Sequence, residues 1–163
     1  MANTWTHYGA EQLLKKVFTG ASAASAAKVV LIDSMPAEAT IKAFEDYDAT
    51  WQSTHEVATV GTAYVRGTGA SINLDDTAAG FDVTQPAGDA GSAADRVDLQ
   101  LKDIAFTTGA GETLTASGAA LILTDGGTEK VYGVFDFQGG TSVTVSNGGA
   151  LTLADCEIRI LCS

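Results

Sequence analysis

Turn signals in the second half of the chain place the strongest constraint on its fold. Residues 120–137 read ALILTDGGTEKVYGVFDF, in which two apolar segments flank Asp-Gly-Gly, a residue combination that closes tight β-hairpins. Residues 141–153, TSVTVSNGGALTL, repeat the pattern around Asn-Gly-Gly. Turn signals spaced about ten residues apart are typical of a β-sandwich or a closed β-structure. We therefore predict a mainly β fold, a β-sandwich or barrel-like domain, for a single domain spanning 1–163.

The N-terminal segment, residues 1–20, combines aromatic side chains with a short helix. Trp5, His7 and Tyr8 precede a helix predicted over 9–19, whose apolar face contains Leu13, Leu14, Val17 and Phe18. A helix of about three turns is marginal alone in water, so this face must pack against another surface. We predict an anchor segment that docks either on the β-structure of its own chain or on that of a neighbour.

The next elements are a buried strand and a second short helix. Residues 28–33, KVVLID, are rich in β-branched residues and predict the strand. Residues 34–47, SMPAEATIKAFEDY, predict a helix with Ser34 as its N-cap and with Ile41 and Phe44 on its inner face.

Two later segments have less regular patterns. Residues 97–101, VDLQL, alternate as a strand, and the alternation slips at 102–103 before Ile104 and Phe106, which predicts a β-bulge. Residues 75–96 have the weakest pattern in the chain, with Phe81 and Val83 as their only apolar anchors. We predict a long surface loop or arm that becomes ordered on a neighbouring subunit.

The charge and composition bear on possible partners. The chain has 20 acidic and 9 basic residues, a net charge of −11, which disfavours contact with nucleic acid. The charge serves either solubility alone or attraction to a basic protein surface. Apolar runs far shorter than about 20 residues predict no membrane span, and the first residues lack a secretion signal, so we expect a product made in the cytoplasm.

The search for catalytic and metal-binding motifs favours a protein that is not an enzyme and has no cofactor. The sequence has no Walker-type, CxxC, HExxH or GxSxG motif and only two histidines, His7 and His55. His55 and Glu56 are predicted to start a strand, where their side chains point to opposite faces. The acidic stretch 45–51, EDYDATW, is a conceivable Ca²⁺ loop but is more typical of a solvated acidic surface.

The two cysteines, Cys156 and Cys162, fall on one predicted strand. Six residues of strand separate their Cα atoms by about 20 Å, which is too far for a mutual disulfide. Buried free thiols are the favoured interpretation, with interchain pairing or metal binding as the alternatives.

The order of these features resembles small virion structural proteins of tailed bacteriophages. The resemblance lies in the opening NTWTHYGAEQLLKKVF, in Tyr64-Val65-Arg66 after glycine-rich residues, and in KVYGVFDF followed by VTVSNGGALTL. Such proteins serve as head decoration (cement) or tail-fibre-like components. The helix-like segment 34–51 and the excursion 75–96 depart from the pattern, which leaves the position within the virion open. The resemblance implies an assembly role, with neither catalysis nor a cofactor.

The expected function is therefore that of a capsid decoration subunit on the virion surface, which bridges major capsid proteins and neighbouring copies of itself, most simply as a trimer. The expected partner-binding residues are those of the anchor and of the arm: Trp5, His7, Tyr8, Leu13, Leu14, Val17, Phe18, Phe81, Asp82 and Val83. The alternative is a receptor- or carbohydrate-binding module of a head or tail fibre, in which the acids of 45–51 and Trp51 would hold a sugar.

Overall fold

The computed structural model describes residues 4–12, 24–74, 81–84, 96–137, 139, 141–154 and 156–161. Its helices are residues 7–12 (α1), Glu38–Lys42 (α2) and Ala49–His55 (α3). Its strands are β1 (Thr4–Trp5), β2 (Ala26–Ile32), β3 (Ala70–Ile72), β4 (Phe81–Thr84), β5 (Arg96–Leu101), β6 (Ile104–Thr107), β7 (Thr113–Ala116), β8 (Gly118–Asp125), β9 (Thr128–Asp136), β10 (Val143–Ser146), β11 (Ala150–Leu153) and β12 (Glu157–Leu161). Within these residues, none of the helices has the length and apolar character needed to cross a membrane.

A five-stranded antiparallel sheet in the order β1-β9-β8-β2-β3 forms the centre of the molecule. One face packs against apolar side chains of the later strands, such as Phe106, Leu114 and Leu151. The other face packs against α2 and α3. Since both faces are covered, β2 and β8 are almost continuously apolar instead of alternating. The prediction of a mainly β, sandwich-like fold is confirmed.

The chain from residue 96 to residue 161 is one long antiparallel ribbon that folds over itself. β8 pairs with β9, β7 with β10, β6 with β11 and β5 with β12, so the two arms run side by side and join at the tip, between Asp125 and Thr128. At the tip, Gly126 and Gly127 have φ angles of 59° and 84°, as a type I′ hairpin turn requires. The predicted hairpin at 120–137 is therefore confirmed.

The second predicted hairpin, at 141–153, is wrong although its turn is present. β10 and β11 pair with β7 and β6 and not with each other. The Asn-Gly-Gly turn is a corner in one arm of the ribbon and lies beside a second turn at 108–112. The Asn147 N–H donates to the Glu112 carbonyl at 3.2 Å, and the Thr108 N–H donates to the Gly149 carbonyl at 2.9 Å. These bonds to the other arm replace the pairing that a simple hairpin would have.

The predicted bulge at 102–103 is also wrong. Ile104 pairs with Leu153 and Gln100 with Glu157, so the register is the same on both sides of the break. A one-residue bulge would have shifted that register. Instead, both arms change the face that they bury: Leu101 and Ile104 are both buried, and Leu153 and Cys156 both pack in the large core cluster, although three positions separate the two residues of each pair.

The helical layer differs from prediction in its caps and in one missed helix. α2 has Ala37 at its N-cap position with no side-chain hydrogen bond, so Ser34 is not the cap. Its predicted inner residues, Ile41 and Phe44, are buried as expected. α3 was not predicted, and it contains His55, which therefore does not start a strand.

The predicted arm 75–96 contains strand β4, which pairs with β5 in the order β12-β5-β4. Phe81 packs against the large core cluster and is half-buried, so its role as an anchor of this segment agrees with the structure. The remainder of 75–96, apart from Arg96, lies outside the described residues.

The long strands β9 and β2 each have two short segments placed end to end along their outer side, and β1 and β3 are one segment of each pair. Along β9, residues 4–6 cover positions 132–134, and residues 45–47 cover positions 129–131. Along β2, β3 covers positions 27–29, and Glu56 and its neighbours bond to positions 31–33. These segments satisfy backbone groups that an open sheet edge would leave available for pairing with another chain.

Candidate functional site

The N-terminal segment docks on the edge of its own sheet. Thr4 pairs with Val134, Trp5 pairs with Gly133, and the Thr6 N–H donates to the Tyr132 carbonyl at 2.9 Å. Tyr132 is the extra residue of a bulge in β9, because Leu121 pairs with Gly133 while Ile122 pairs with Val131. The bulge places the Tyr132 carbonyl where it accepts the hydrogen bond from the Thr6 N–H.

Thr6 joins the strand to the helix that follows. It is fully buried, its Oγ1 donates to the Val131 carbonyl at 2.7 Å, and the same oxygen accepts the Gly9 N–H at 2.8 Å. Thr6 therefore caps α1 and fixes it to the sheet at once. A Cβ atom on Gly9 would lie 2.2 Å from the Tyr132 carbonyl oxygen, so only glycine allows this close approach.

A first cluster of tyrosines, the Asp125 cluster (Tyr8, Asp125, Tyr132), holds α1 against the hairpin. The hydroxyls of Tyr132 and Tyr8 donate to Asp125 Oδ2 at 2.7 and 3.3 Å. The two rings meet edge to face with their centroids 5.7 Å apart. Burial raises the pKa of both phenols, and the negative charge of Asp125 raises it further. The phenols therefore remain protonated donors.

A second cluster, the Glu56 cluster (Tyr47, Glu56, Tyr64), is centred on Glu56 beside β2, and the Tyr47 side chain reaches it from the segment that covers β9. Glu56 is only 2% exposed, and both tyrosine hydroxyls donate to its carboxylate at 2.6 Å. The Gly67 N–H is a third donor at 2.8 Å, and the Tyr64 hydroxyl accepts the Leu31 N–H at 3.0 Å. Burial, followed by the hydrogen bond to Glu56, raises the pKa of both tyrosines.

Arg66 fastens the loop that carries this second cluster. Its guanidinium donates to the carbonyls of Glu56 and Val57 at 2.9 and 3.3 Å. Tyr64 and Arg66 thus support the loop from inside, whereas Val65 between them is exposed. In the Tyr64-Val65-Arg66 motif, Tyr64 and Arg66 therefore have a structural role in this chain.

Two lysines complete the polar contacts of the helical face. Lys28 Nζ bonds to Glu129 at 2.6 Å and lies 4.6 Å from the centre of the Tyr47 ring. Lys130 Nζ bonds to Glu45 and Asp46 and lies 5.1 Å from the centre of the Tyr8 ring. The acids of 45–51 are therefore used within the chain, and Asp48 caps α3 by accepting the Trp51 N–H at 2.8 Å.

The predicted anchor residues have different environments. Trp5 and Tyr8 are half-buried and pack against the large core of their own chain, so in this structure their packing is intramolecular. His7 is exposed. It lines a cleft of about 380 Å³ between α1 and the end of α2, together with Glu11, Lys42 and Glu45 among others. Leu13, Leu14, Val17 and Phe18 lie outside the described residues, and for Asp82 and Val83 only the backbone, in β4, is described.

Trp51, His55 and Cys156, the described side chains that the sequence suggests for binding or chemistry, all pack within the chain. Trp51 is 6% exposed and packs against Phe44, Tyr47 and His55, so it presents no face on which a sugar could stack. Burial lowers the pKa of His55. Cys156 is half-buried and packs against the large core cluster, and Cys162 lies outside the described residues. Within the described part of the chain, no three His, Cys, Asp or Glu residues form a group suited to a metal ion.

Comparison of the chain with protein-family models, with curated proteins and with solved structures finds no match.

Proposed function

We propose that this chain is a non-enzymatic structural protein of a tailed-bacteriophage virion, specifically a capsid decoration subunit. In this proposal it lies on the head surface, binds and bridges major capsid proteins, and associates with copies of itself as a trimer. The proposal starts from the sequence resemblance to small virion structural proteins. It adds no cofactor and no nucleic-acid partner.

The observation that supports the proposal best is the use that the chain makes of its tyrosines. The sequence has four, and all four are paired around two carboxylates that fasten the edges of the central sheet. Lys28 and Lys130 likewise bond to carboxylates of their own chain. Side chains that could serve chemistry instead hold loops and the N-terminal segment in place, as expected for a protein that must withstand mechanical and thermal stress.

The net charge of −11 supplies a way to bind the shell. A basic patch on a capsid protein would attract this subunit and orient it before apolar contacts form. Because Trp5 and Tyr8 pack inward, the part of the anchor that can face a partner includes the exposed His7 and Glu11. The arm residues Phe81, Asp82 and Val83 remain the second proposed contact, with Phe81, which packs against the core of its own chain, presenting only its exposed part.

The test uses heads of the phage that encodes the chain, assembled without it. Purified protein is added to expanded, undecorated heads, and both the occupancy and the temperature of DNA release are measured. We expect saturable binding that weakens with added salt, and a higher release temperature when the sites are filled. Absence of binding, or binding with an unchanged release temperature, would overturn the role in stabilising the head.

Variants then locate the contact surface. His7→Ala combined with Glu11→Gln changes the exposed side of the anchor, and Asp103→Asn changes an exposed acid between β5 and β6 as the control. We expect the double variant to lower occupancy more than the control does, with both proteins equally stable to urea. Equal occupancy for both would remove the anchor from the proposed interface. Mass measurement of the free protein tests the trimer directly.

The carbohydrate-binding alternative has less support from the surroundings of Trp51. It depended on an exposed aromatic ring beside the acids of 45–51, and Trp51 is buried in the helical layer.

A further inference from the structure

The Asn-Gly-Gly corner of the ribbon carries a chemical feature beyond its structural role. The sequence has three asparagines, and only Asn147 precedes a glycine, since Asn3 precedes Thr4 and Asn73 precedes Leu74. Asparagine is a thermolabile residue, and a following glycine leaves its own backbone nitrogen unshielded by a side chain. Ser146, Asn147 and Gly148 are all exposed, so water reaches the turn.

We propose that Asn147 is a site of spontaneous deamidation whose rate is set by opening of this corner. The Gly148 backbone nitrogen attacks Cγ of Asn147, a new C–N bond forms, and the bond from Cγ to the amide nitrogen breaks. The proton of the attacking nitrogen leaves with that group as ammonia, and the product is a succinimide. Water then opens the ring at either carbonyl and gives aspartate or isoaspartate, which makes the chain one unit more negative.

The folded corner restrains this reaction with three hydrogen bonds. The Gly149 N–H donates to the Ser146 carbonyl at 3.0 Å, and the Asn147 N–H donates to the Glu112 carbonyl at 3.2 Å. The Gly111 N–H donates to Asn147 Oδ1 at 3.1 Å, which holds the amide that must rotate. The last bond lies at the surface, and bonds of this kind are among the first to break when a structure opens locally.

Neighbouring bonds determine how often the corner opens. Thr108, which is 2% exposed, donates through both its N–H and its Oγ1 to the Gly149 carbonyl at 2.9 Å. Weakening this contact frees the residue that follows Gly148. Isoaspartate at 147 would in turn lengthen the main chain of the turn by one atom, so the bonds to Glu112 and Gly111 could not both be kept.

The experiment follows deamidation in the intact, full-length protein. The protein is kept folded at mildly alkaline pH in ¹⁸O-labelled water, and peptide mapping by mass spectrometry measures conversion at Asn147 and Asn73 in the same sample. We expect Asn147 to convert several times faster than Asn73, to incorporate the label, and to yield isoaspartate detectable by isoaspartyl methylation. Conversion at 147 that is no faster than at 73 would overturn the site.

Two matched threonine variants test whether opening of the corner sets the deamidation rate at Asn147. Thr108→Val removes the Oγ1 bond to Gly149, and Thr115→Val removes the Oγ1–Oγ1 contact with Thr144 (2.8 Å), which lies in the same ribbon outside the corner. We expect conversion at 147 to speed up in Thr108→Val and to stay at the parent rate in Thr115→Val. Equal rates in the two variants would overturn the claim that opening of the corner sets the rate. Whether Asn147 is a deamidation site is decided separately, by its rate relative to Asn73.

Discussion

The two edges of the central sheet are fastened by the same arrangement in different surroundings. At the β2 edge, Tyr47 and Tyr64 donate to Glu56 inside the protein at 2.6 Å each. At the β9 edge, Tyr132 and Tyr8 donate to Asp125 at 2.7 and 3.3 Å in a partly solvated site. The Glu56 cluster joins a loop and a helical layer to the core, whereas the Asp125 cluster holds an N-terminal segment that reaches the sheet from outside.

The difference in burial between the two carboxylates indicates how much stability is lost when each is removed. When Glu56 is removed, water cannot easily reach the donors that it leaves behind, so their lost hydrogen bonds are not replaced. Around Asp125, water can replace part of what is lost. We therefore expect the β2 edge to unfold with the whole domain and the N-terminal segment on β9 to open by itself.

Glu56→Ala should have the largest effect on stability. It leaves two tyrosine hydroxyls and the Gly67 N–H without their acceptor in a buried site, and we expect a loss of about 3–5 kcal/mol in the free energy of unfolding. Urea denaturation measures the loss. Glu56→Gln keeps one acceptor oxygen and should lose less.

The control for Glu56 is Glu38→Ala, which removes an exposed partner of Lys42 at 2.7 Å. Exposed pairs of this kind contribute little, so the midpoint should remain near that of the parent protein. If Glu56→Ala were as stable as this control, the Glu56 cluster would not be what fastens the β2 edge.

Gly9→Ala should break the β9 edge selectively. The added Cβ would overlap the Tyr132 carbonyl, and overpacking against backbone costs about 1–3 kcal/mol. Hydrogen exchange should show faster exchange at the Thr6 amide, which bonds to that carbonyl, with unchanged protection in β2 and β8. His7→Ala, in the same turn of α1 but exposed, should leave both unchanged. Equal loss of protection across the whole sheet would show that the segment is not a separate unit.

The two tyrosines of the Asp125 cluster should contribute unequally. Tyr132→Phe removes the shorter bond from a side chain that is 2% exposed and should cost about 1 kcal/mol. Tyr8→Phe removes the longer bond at a half-buried position and should cost about 0.5 kcal/mol. Urea denaturation of both single variants and of the double variant measures their coupling. Exact additivity would mean that the two hydroxyls do not act through a shared carboxylate.

The sequence predicted local structure well where one segment determines it. The Asp-Gly-Gly turn, the apolar strand of KVVLID and the inner residues Ile41 and Phe44 all depend on neighbours in sequence. The partners of β10 and β11 depend instead on which arm of the ribbon lies alongside. The same Asn-Gly-Gly signal is therefore compatible with a hairpin and with a corner, and the choice comes from bonds to Thr108 and Glu112.

The candidate site was harder to predict for the same reason. Glu56 lies between His55 and an apolar valine, and nothing near it in sequence indicates that Tyr47 and Tyr64 converge on it. Asp125 and Tyr8 are 117 positions apart. A usable signal was the small number of tyrosines, because four phenols in a chain with few aromatics are costly to bury unless each has an acceptor. Trp51 was misassigned to a surface because the acids around it suggested a loop, whereas they cap and flank a short helix.

A pH titration tests the helical layer beside the Glu56 cluster and should give the smallest effect. His55 packs against Phe44 and Trp51, and burial lowers its pKa below the ordinary 6.5. The unfolded chain therefore binds a proton more readily than the folded chain. This contribution to stability is present above the unfolded pKa and is lost as the pH falls from about 7 toward 5. His55→Phe keeps a ring at this position and should flatten the dependence of the urea midpoint on pH over that range. A slope that survives in His55→Phe would assign the dependence to groups elsewhere in the chain.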